Sequence, residues 1–229
     1  MMPPAQAATP FKLLLVDDHT IVREGLKHLL EPVSAGWAFT GVGNGFDALD
    51  CLRRERFNLV IVDLSMPGMS GLELIRRIKS EFPAVQVLVL SMHAEDQYAL
   101  RAFKAGANGY LTKDSAADKL VEAVCKVAAG GTYVTPHLAE RVVQQLNGDV
   151  QAPRHAELSD REMQVLCGFV AGMRPTDIAR ALNLSIKTVS THKSRIQDKL
   201  QLPSMAAMIR YGIEHKLDRG LLAPDKKPA

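Results

Sequence analysis

The stretch NLVIVDLSMPGMSG, Asn58 to Gly71, constrains this chain most. Leu59-Val60-Ile61-Val62 is a continuous apolar run, as a central parallel strand needs when both of its faces are covered. Asp63 follows at its carboxyl end, where open α/β sheets place ligands and chemistry. Met66-Pro67-Gly68 then forces a turn, because Pro fixes φ and Gly admits positive φ. Ser70 and Glu73 stand at S-x-x-E spacing and predict a capped helix with Leu74, Ile75 and Ile78 turned inward. Taken alone, Asp63 is best read as a turn residue. The rest of the chain changes that reading.

Phe11 to Val16 predicts a first strand ending in Asp17-Asp18, and helical spacing from Ile21 to Leu30 stops at Pro32. Trp37 to Val42 is a second strand, followed by a helix over about Phe46–Arg54. Val85 to Leu90 is a strand closing on Ser91, and its helix stops at Gly106. Gly109 to Thr112 is a short strand ending at Lys113. Ser115 and Asp118 cap a helix that stops at Gly130-Gly131. Five β-then-α units predict a doubly wound five-stranded parallel sheet with helices on both faces. Pro136 to Leu146 reads as one more helix, and the polar NGDVQAPRHAE (147–157) as a linker. The expected division is 11–131, a linker helix and flexible linker over 132–157, and an all-helical unit over 158–217. The tail after Leu222 is expected to fray.

A chain of 229 residues is comfortable for two domains. No apolar run reaches membrane-spanning length, and the first ten residues lack the basic and apolar regions of a signal peptide, so a soluble, cytoplasmic protein without membrane contact is expected. Cys51, Cys125 and Cys167 lie far apart in helical patterns and read as buried free thiols. Residues 1–135 hold 14 Lys/Arg against 15 Asp/Glu, and residues 136–229 hold 14 against 10. The positive excess therefore falls on the second half, where an anionic partner would bind.

Parallel strands bring their carboxyl ends to one edge, so Asp17, Asp18, Asp63, Ser91 and Lys113 are candidates for one site. Three carboxylates repel one another unless a cation joins them, and an all-oxygen set with room for water suits Mg²⁺. Lys113 adds a positive charge and Ser91 a hydroxyl. Such a set suits a phosphoryl group carried on Asp63 as nucleophile. Gly41-x-Gly43-x-Gly45 is discounted as a nucleotide loop, since Phe46 stands where the last Gly belongs.

Residues 11–131 resemble the receiver domain of a two-component response regulator, a flavodoxin-like fold. The family's acidic pair, phospho-accepting Asp, Ser/Thr, aromatic and Lys match Asp17 and Asp18, Asp63, Ser91, Tyr110 and Lys113. The GYLTKD and MPGMSG wordings strengthen the match. The resemblance implies a phosphoryl donor that is a sensor histidine kinase, and Mg²⁺ held by Asp17, Asp18, Asp63 and the backbone carbonyl of Ser65. It also implies a Tyr110 that turns inward on phosphorylation, and a path for hydrolytic water bordered by Ser65 and His93.

In the second half, Ser159 and Glu162 form another S-x-x-E box before a stripe of Met163, Leu166, Cys167 and Val170. Pro175 opens a second helix with Ile178, Ala179 and Leu182 inward. Asn183-Leu184 is a turn. Ser185 caps a third helix, 186–200, in which Val189, His192, Ile196 and Leu200 face inward. Its other face carries Lys187, Ser190, Thr191, Lys193, Ser194 and Arg195, and a fourth helix begins at Pro203-Ser204. Two short helices, a tight turn and a basic helix make a helix-turn-helix. The LSDRE opening and the IARALNLSIKTVSTHKSRIQDKL run resemble the LuxR-type DNA-binding domain of the NarL/FixJ family. That resemblance implies a non-enzymatic, phosphorylation-controlled transcriptional regulator that binds double-stranded DNA through those six residues. It also implies a homodimer, with the Ser204–Lys216 helix as dimer surface. Two rivals remain at this stage. A phosphatase of the haloacid dehalogenase type needs a second Asp two residues after the nucleophile, where Ser65 stands. A DNA-binding protein with a degenerate receiver would carry Asp63 without using it.

Overall fold

The computed structural model describes residues 10–66, 68–92, 95–115, 117–140, 153–215 and 217, with the backbone alone for 95–97. Five strands, β1 (Lys12–Val16), β2 (Ala38–Val42), β3 (Leu59–Val62), β4 (Gln86–Ser91) and β5 (Gly109–Thr112), form one parallel sheet in the order β2-β1-β3-β4-β5. Five helices alternate with them: α1 (Thr20–Leu30), α2 (Gly45–Arg54), α3 (Gly71–Glu81), α4 (Glu95–Ala105) and α5 (Ala117–Ala128). The doubly wound α/β expectation holds.

Side chains alternate across each strand, and both faces of β1, β3, β4 and β5 are buried, while the edge strand β2 is half-exposed. Leu14, Val16, Val60, Val62, Val87 and Val89 face α2, α3 and α4, while Leu13, Leu15, Leu59, Ile61, Leu88 and Leu90 lie with the apolar stripes of α1 and α5. The strand order reverses between β1 and β3, so a crevice opens at their carboxyl ends. Register sets what enters it. Val16 pairs with both Val42 and Val62, so Asp17 and Asp63 each stand one residue past the ladder on adjacent strands.

The second unit has four helices: α6 (Asp160–Val170), α7 (Pro175–Leu182), α8 (Ile186–Leu200) and α9 (Met205–Glu214). Ser159 and Glu162 complete the capping box reciprocally, Pro175 is at the start of α7, Asn183 ends it in the left-handed region (φ 53°), and the Ser185 side chain caps α8. Gly212 lets α9 close on α6, since a Cβ there would overlap Val170.

Several local expectations need correction. α5 is described from Ala117, and the Ser115 hydroxyl just before it pairs with Thr112 Oγ1 at 3.1 Å. Of the three free thiols only Cys167 is fully buried; Cys51 is half-buried and Cys125 exposed, because α5 turns that position away from the sheet. Of the helix expected over Pro136–Leu146, residues 136–140 are helical. The rest of it, part of the expected linker and the tail lie outside the described residues.

The sequence also predicts too narrow an apolar stripe on α6. Nine consecutive residues, Glu162 to Val170, are buried. Part of this buried surface meets the receiver-like unit: one apolar cluster runs from the sheet through Tyr98, Ala99 and Ala102 into Leu158, Met163 and Cys167. Polar contacts ring this junction. Asp160 is held by Arg76 (2.5 Å) and Arg101 (3.3 Å), and Arg101 also donates to the His155 carbonyl at 2.8 Å. Arg161 donates to the Gly68 carbonyl.

Candidate phosphoryl site and nucleic-acid interface

Asp17 and Asp63 are almost wholly buried at the crevice, with Asp18 more open beside them. The Asp63 amide donates to Val16 O at 2.9 Å, which ties the residue to β1. Its Oδ1 accepts from the Ser65 amide at 3.1 Å, and its Oδ2 from Lys113 Nζ at 2.8 Å. Lys113 also reaches Asp17 Oδ2 at 2.6 Å and is itself positioned by its amide bond to Ser91 O at 2.8 Å. Gly71 makes the approach possible. A Cβ there would run into the Asp63 carbonyl and Leu64 Cα, so only Gly lets α3 start against the strand end. The Gly71 amide closes the turn on Leu64 O at 3.2 Å.

Burial raises Asp63 above the ordinary carboxylate range, more than Lys113 and the Ser65 amide lower it. For Lys113 burial pulls downward, but Asp63 and Asp17 outweigh it, so its ammonium holds its proton more firmly than usual. Lys113 is shared between Asp17 and Asp63, and among the described residues no Lys or Arg side chain is paired with the Asp18 carboxylate. Asp17, Asp18, His19 and Asp63 each offer a ligand atom, all within 4.8 Å of one another. This donor set fits a divalent ion, and receiver domains typically bind Mg²⁺ at such an acidic cluster.

Ser91 is fully buried at the end of β4, one step beyond the level of Asp63 in the register. Tyr110 is fully buried among the core residues of the α2–α4 face. His93 lies outside the described residues. Beside Lys113 a groove of about 400 Å³ is lined mainly by Val22, Leu26, Leu29, Leu90, Leu111 and Leu120. Ile21 and Met92 stand exposed nearby.

On α8, Val189, Ile196 and Leu200 are buried, while Lys187, Ser190, Thr191, Ser194 and Arg195 are exposed and Lys193 half-exposed. His192 is partly buried, and its Nδ1 has no hydrogen-bond partner among the described residues. Lys199 anchors the helix to α6 through a 2.7 Å pair with buried Glu162. Two hydroxyls are engaged within the helix: Thr191 donates to Lys187 O at 3.0 Å and Ser194 to Ser190 O at 3.3 Å.

The comparisons agree with this architecture. The response regulator receiver domain family matches residues 13–125, and the luxR family of bacterial regulatory proteins matches residues 156–211. Response regulator UvrY of Escherichia coli K12 is 32% identical over 206 residues, covering 90% of this chain and 94% of UvrY. The chain belongs to the NarL/FixJ family of response regulators. Another relative of this response regulator, the transcriptional activator protein ExaE of Pseudomonas putida, is 37% identical over 210 residues, covering 90% and 98% of the two chains. Among solved structures, RcsB of Salmonella enterica serovar Typhimurium, bound to promoter rprA with the phosphomimetic BeF₃⁻, superposes with a TM-score of 0.60 at 27% identity, covering 88% and 98%. A further RcsB structure gives 0.65 at 28%, covering 89% and 97%. This response regulator is thus a DNA-binding transcriptional regulator rather than a classical enzyme. Among the described residues no helix is long and apolar enough to cross a membrane.

Sequence reasoning missed His19, Gly71 and the junction residues Arg76, Tyr98, Arg101, Asp160 and Arg161. The nearly continuous apolar run from Met163 to Val170, broader than one stripe, was the available signal for the junction.

Proposed function

We propose that Asp63 accepts a phosphoryl group from a sensor histidine kinase, and that this controls promoter binding by α8. The observation that carries the reading is Lys113 bridging Asp17 and Asp63 at the crevice of the sheet. Asp63 Oδ attacks the phosphorus of the kinase's phosphohistidine, the P–N bond breaks and the imidazole leaves. Lys113 stays with the phosphoryl oxygens, and the Ser91 hydroxyl donates to one of them. Asp17, Asp18, Asp63 and the Ser65 carbonyl would hold Mg²⁺, which would supply charge neutralisation. The apolar groove and exposed Ile21 and Met92 beside Lys113 favour a protein as donor.

The junction supplies the route outward. Gly68 follows Asp63 in the β3–α3 turn and accepts from Arg161, so a rearranged turn strains the docking of α6. Tyr110 backs the adjacent core. Released, α8 enters the major groove of double-stranded DNA. Ser190, Thr191 and Ser194 meet base edges, and Lys187, Lys193 and Arg195 meet phosphates. A homodimer through α9, whose Ile213 is exposed, presents two copies of α8 to paired half-sites. The working units are residues 11–131 and 158–217, joined by 132–157, in a cytoplasmic protein.

The test is DNA affinity by fluorescence anisotropy with and without a small phosphodonor and Mg²⁺. Tighter binding with the donor in the native protein, lost in Asp63→Asn, supports the reading. A donor effect equal in both proteins overturns it.

A further inference from the structure

His19 occupies the N-cap of α1, a position that favours Ser, Thr, Asp or Asn because their oxygens accept from the first helical amides. Its side chain makes no cap bond. The ring turns back instead toward the acidic pair, with Nδ1 3.0 Å from Asp18 Oδ1 and 3.3 Å from Asp17 Oδ1. Its own amide donates to Asp17 Oδ1 at 2.8 Å, so ring and carboxylate are held in one fixed relation. The ring is 64% exposed, so exchanging its present contacts for a metal costs little desolvation.

We propose that His19 is a direct nitrogen ligand in the acidic site, and that the site therefore prefers nitrogen-binding first-row transition ions to Mg²⁺. The inference rests on the acidic-site reading above. Ligand atoms on opposite sides of an octahedral ion are about 4.2 Å apart, given metal–oxygen distances near 2.1 Å. The four candidate atoms already lie within 4.8 Å of one another, so small side-chain rotations seat them on one ion. Carboxylates alone leave Mg²⁺ competitive through its retained waters. One imidazole raises affinity along the Irving–Williams order, from Mn²⁺ toward Ni²⁺ and Zn²⁺, and offers Mg²⁺ little. The His19 amide, donating to Asp17 Oδ1 at 2.8 Å, then holds that carboxylate in place toward the ion.

The experiment uses the full chain without phosphodonor. Pulsed electron paramagnetic resonance on the Mn²⁺-loaded protein reads directly coordinated ¹⁴N, and calorimetry reads Mg²⁺ and Ni²⁺ affinities. The native protein is expected to show ¹⁴N coupling that disappears in both His19→Ala and Asp18→Asn. His19→Ala is expected to weaken Ni²⁺ at least tenfold and Mg²⁺ less than twofold. Because His19 is exposed, circular dichroism should find the variant folded, and His19→Gln repeats the measurement with an oxygen donor. Mg²⁺ binding that Asp18→Asn weakens, without ¹⁴N coupling in the native protein, overturns the His19 assignment alone. Mn²⁺ and Mg²⁺ binding indifferent to Asp18→Asn overturns the acidic-site reading and this inference with it.

Discussion

Arg161, in the first turn of α6, donates to the backbone carbonyl of Gly68, in the turn that carries Asp63 out of β3. The DNA-binding half therefore rests directly on the loop nearest the phosphoryl site. Asp160, the neighbouring residue, is clamped by Arg76 and Arg101. Below these polar bonds Tyr98 Oη meets Cys167 Sγ at 3.6 Å, both fully buried.

Opening of this junction is readable at Cys167. Burial pushes its thiol up to about 11, more than Tyr98 and Arg101 pull it down, so the closed form reacts slowly. Asp160→Ala removes two ion pairs that are only partly exposed. A loss of about 1 kcal/mol raises the open population about fivefold. Peptide-resolved thiol labelling should show Cys167 reacting about fivefold faster, with Cys125 unchanged as internal control. Unchanged labelling at Cys167 would mean that the clamp does not hold the junction.

Gly71→Ala should be costly despite its size. The added methyl overlaps the Asp63 carbonyl and Leu64, which are backbone and cannot rotate away. Overpacking of this kind costs about 1–3 kcal/mol. Thermal unfolding should record that loss, and phosphoryl uptake should fall because Asp63 shifts. Native stability in Gly71→Ala would show that α3 can slide without disturbing the site.

Acid should loosen the second unit through His155. Burial, then the His215 ring and Arg101, lower its pKa from 6.5 to about 4. Its Nδ1 lies 3.1 Å from Tyr211 Oη. The unfolded chain takes the proton near pH 6.5 and the folded chain only near pH 4. This contribution to stability is thus present above pH 6.5 and lost as pH falls toward 4. His155→Gln should flatten that part of the stability profile relative to the native protein. Parallel acid limbs in the two proteins would assign the loss to carboxylates instead.

On α8, phosphate and base contacts should separate by salt. Lys193→Ala should weaken specific and random DNA alike and lower the salt slope by about 0.9. Thr191→Ala should cost about 1 kcal/mol on the preferred site and little on random DNA. The Thr191 hydroxyl donates to Lys187 O, which leaves it an acceptor toward a base and its methyl free for thymine. Titrations at several salt concentrations on both DNAs distinguish the roles, and an exchange of the two phenotypes would place the helix wrongly.

The sheet was legible because four of its strands are short apolar runs buried on both faces, each ending at a residue that enters the crevice. Asp17, Asp63 and Lys113 could be gathered from that rule alone, since parallel strands share one carboxyl edge. Ser159 and Ser185 were legible because capping is a local preference. The docking face of α6 was not, because an apolar residue does not declare whether its partner lies in its own unit or in another. Nor was the side chain of His19, which turns back onto its neighbours Asp17 and Asp18, a rotamer that residue order does not declare. Tyr110 was legible as an aromatic of the fifth strand, but its full burial was not, because residue type alone does not fix the direction of a ring.

The most direct measurement is the intact mass of the native protein and of Asp63→Asn after incubation with Mg²⁺ and a small phosphodonor. The account predicts one added phosphoryl group on the native chain and none on the variant, which keeps the shape of Asp63 and lacks its nucleophile. Equal uptake by the two proteins, or no uptake by the native chain, would contradict it.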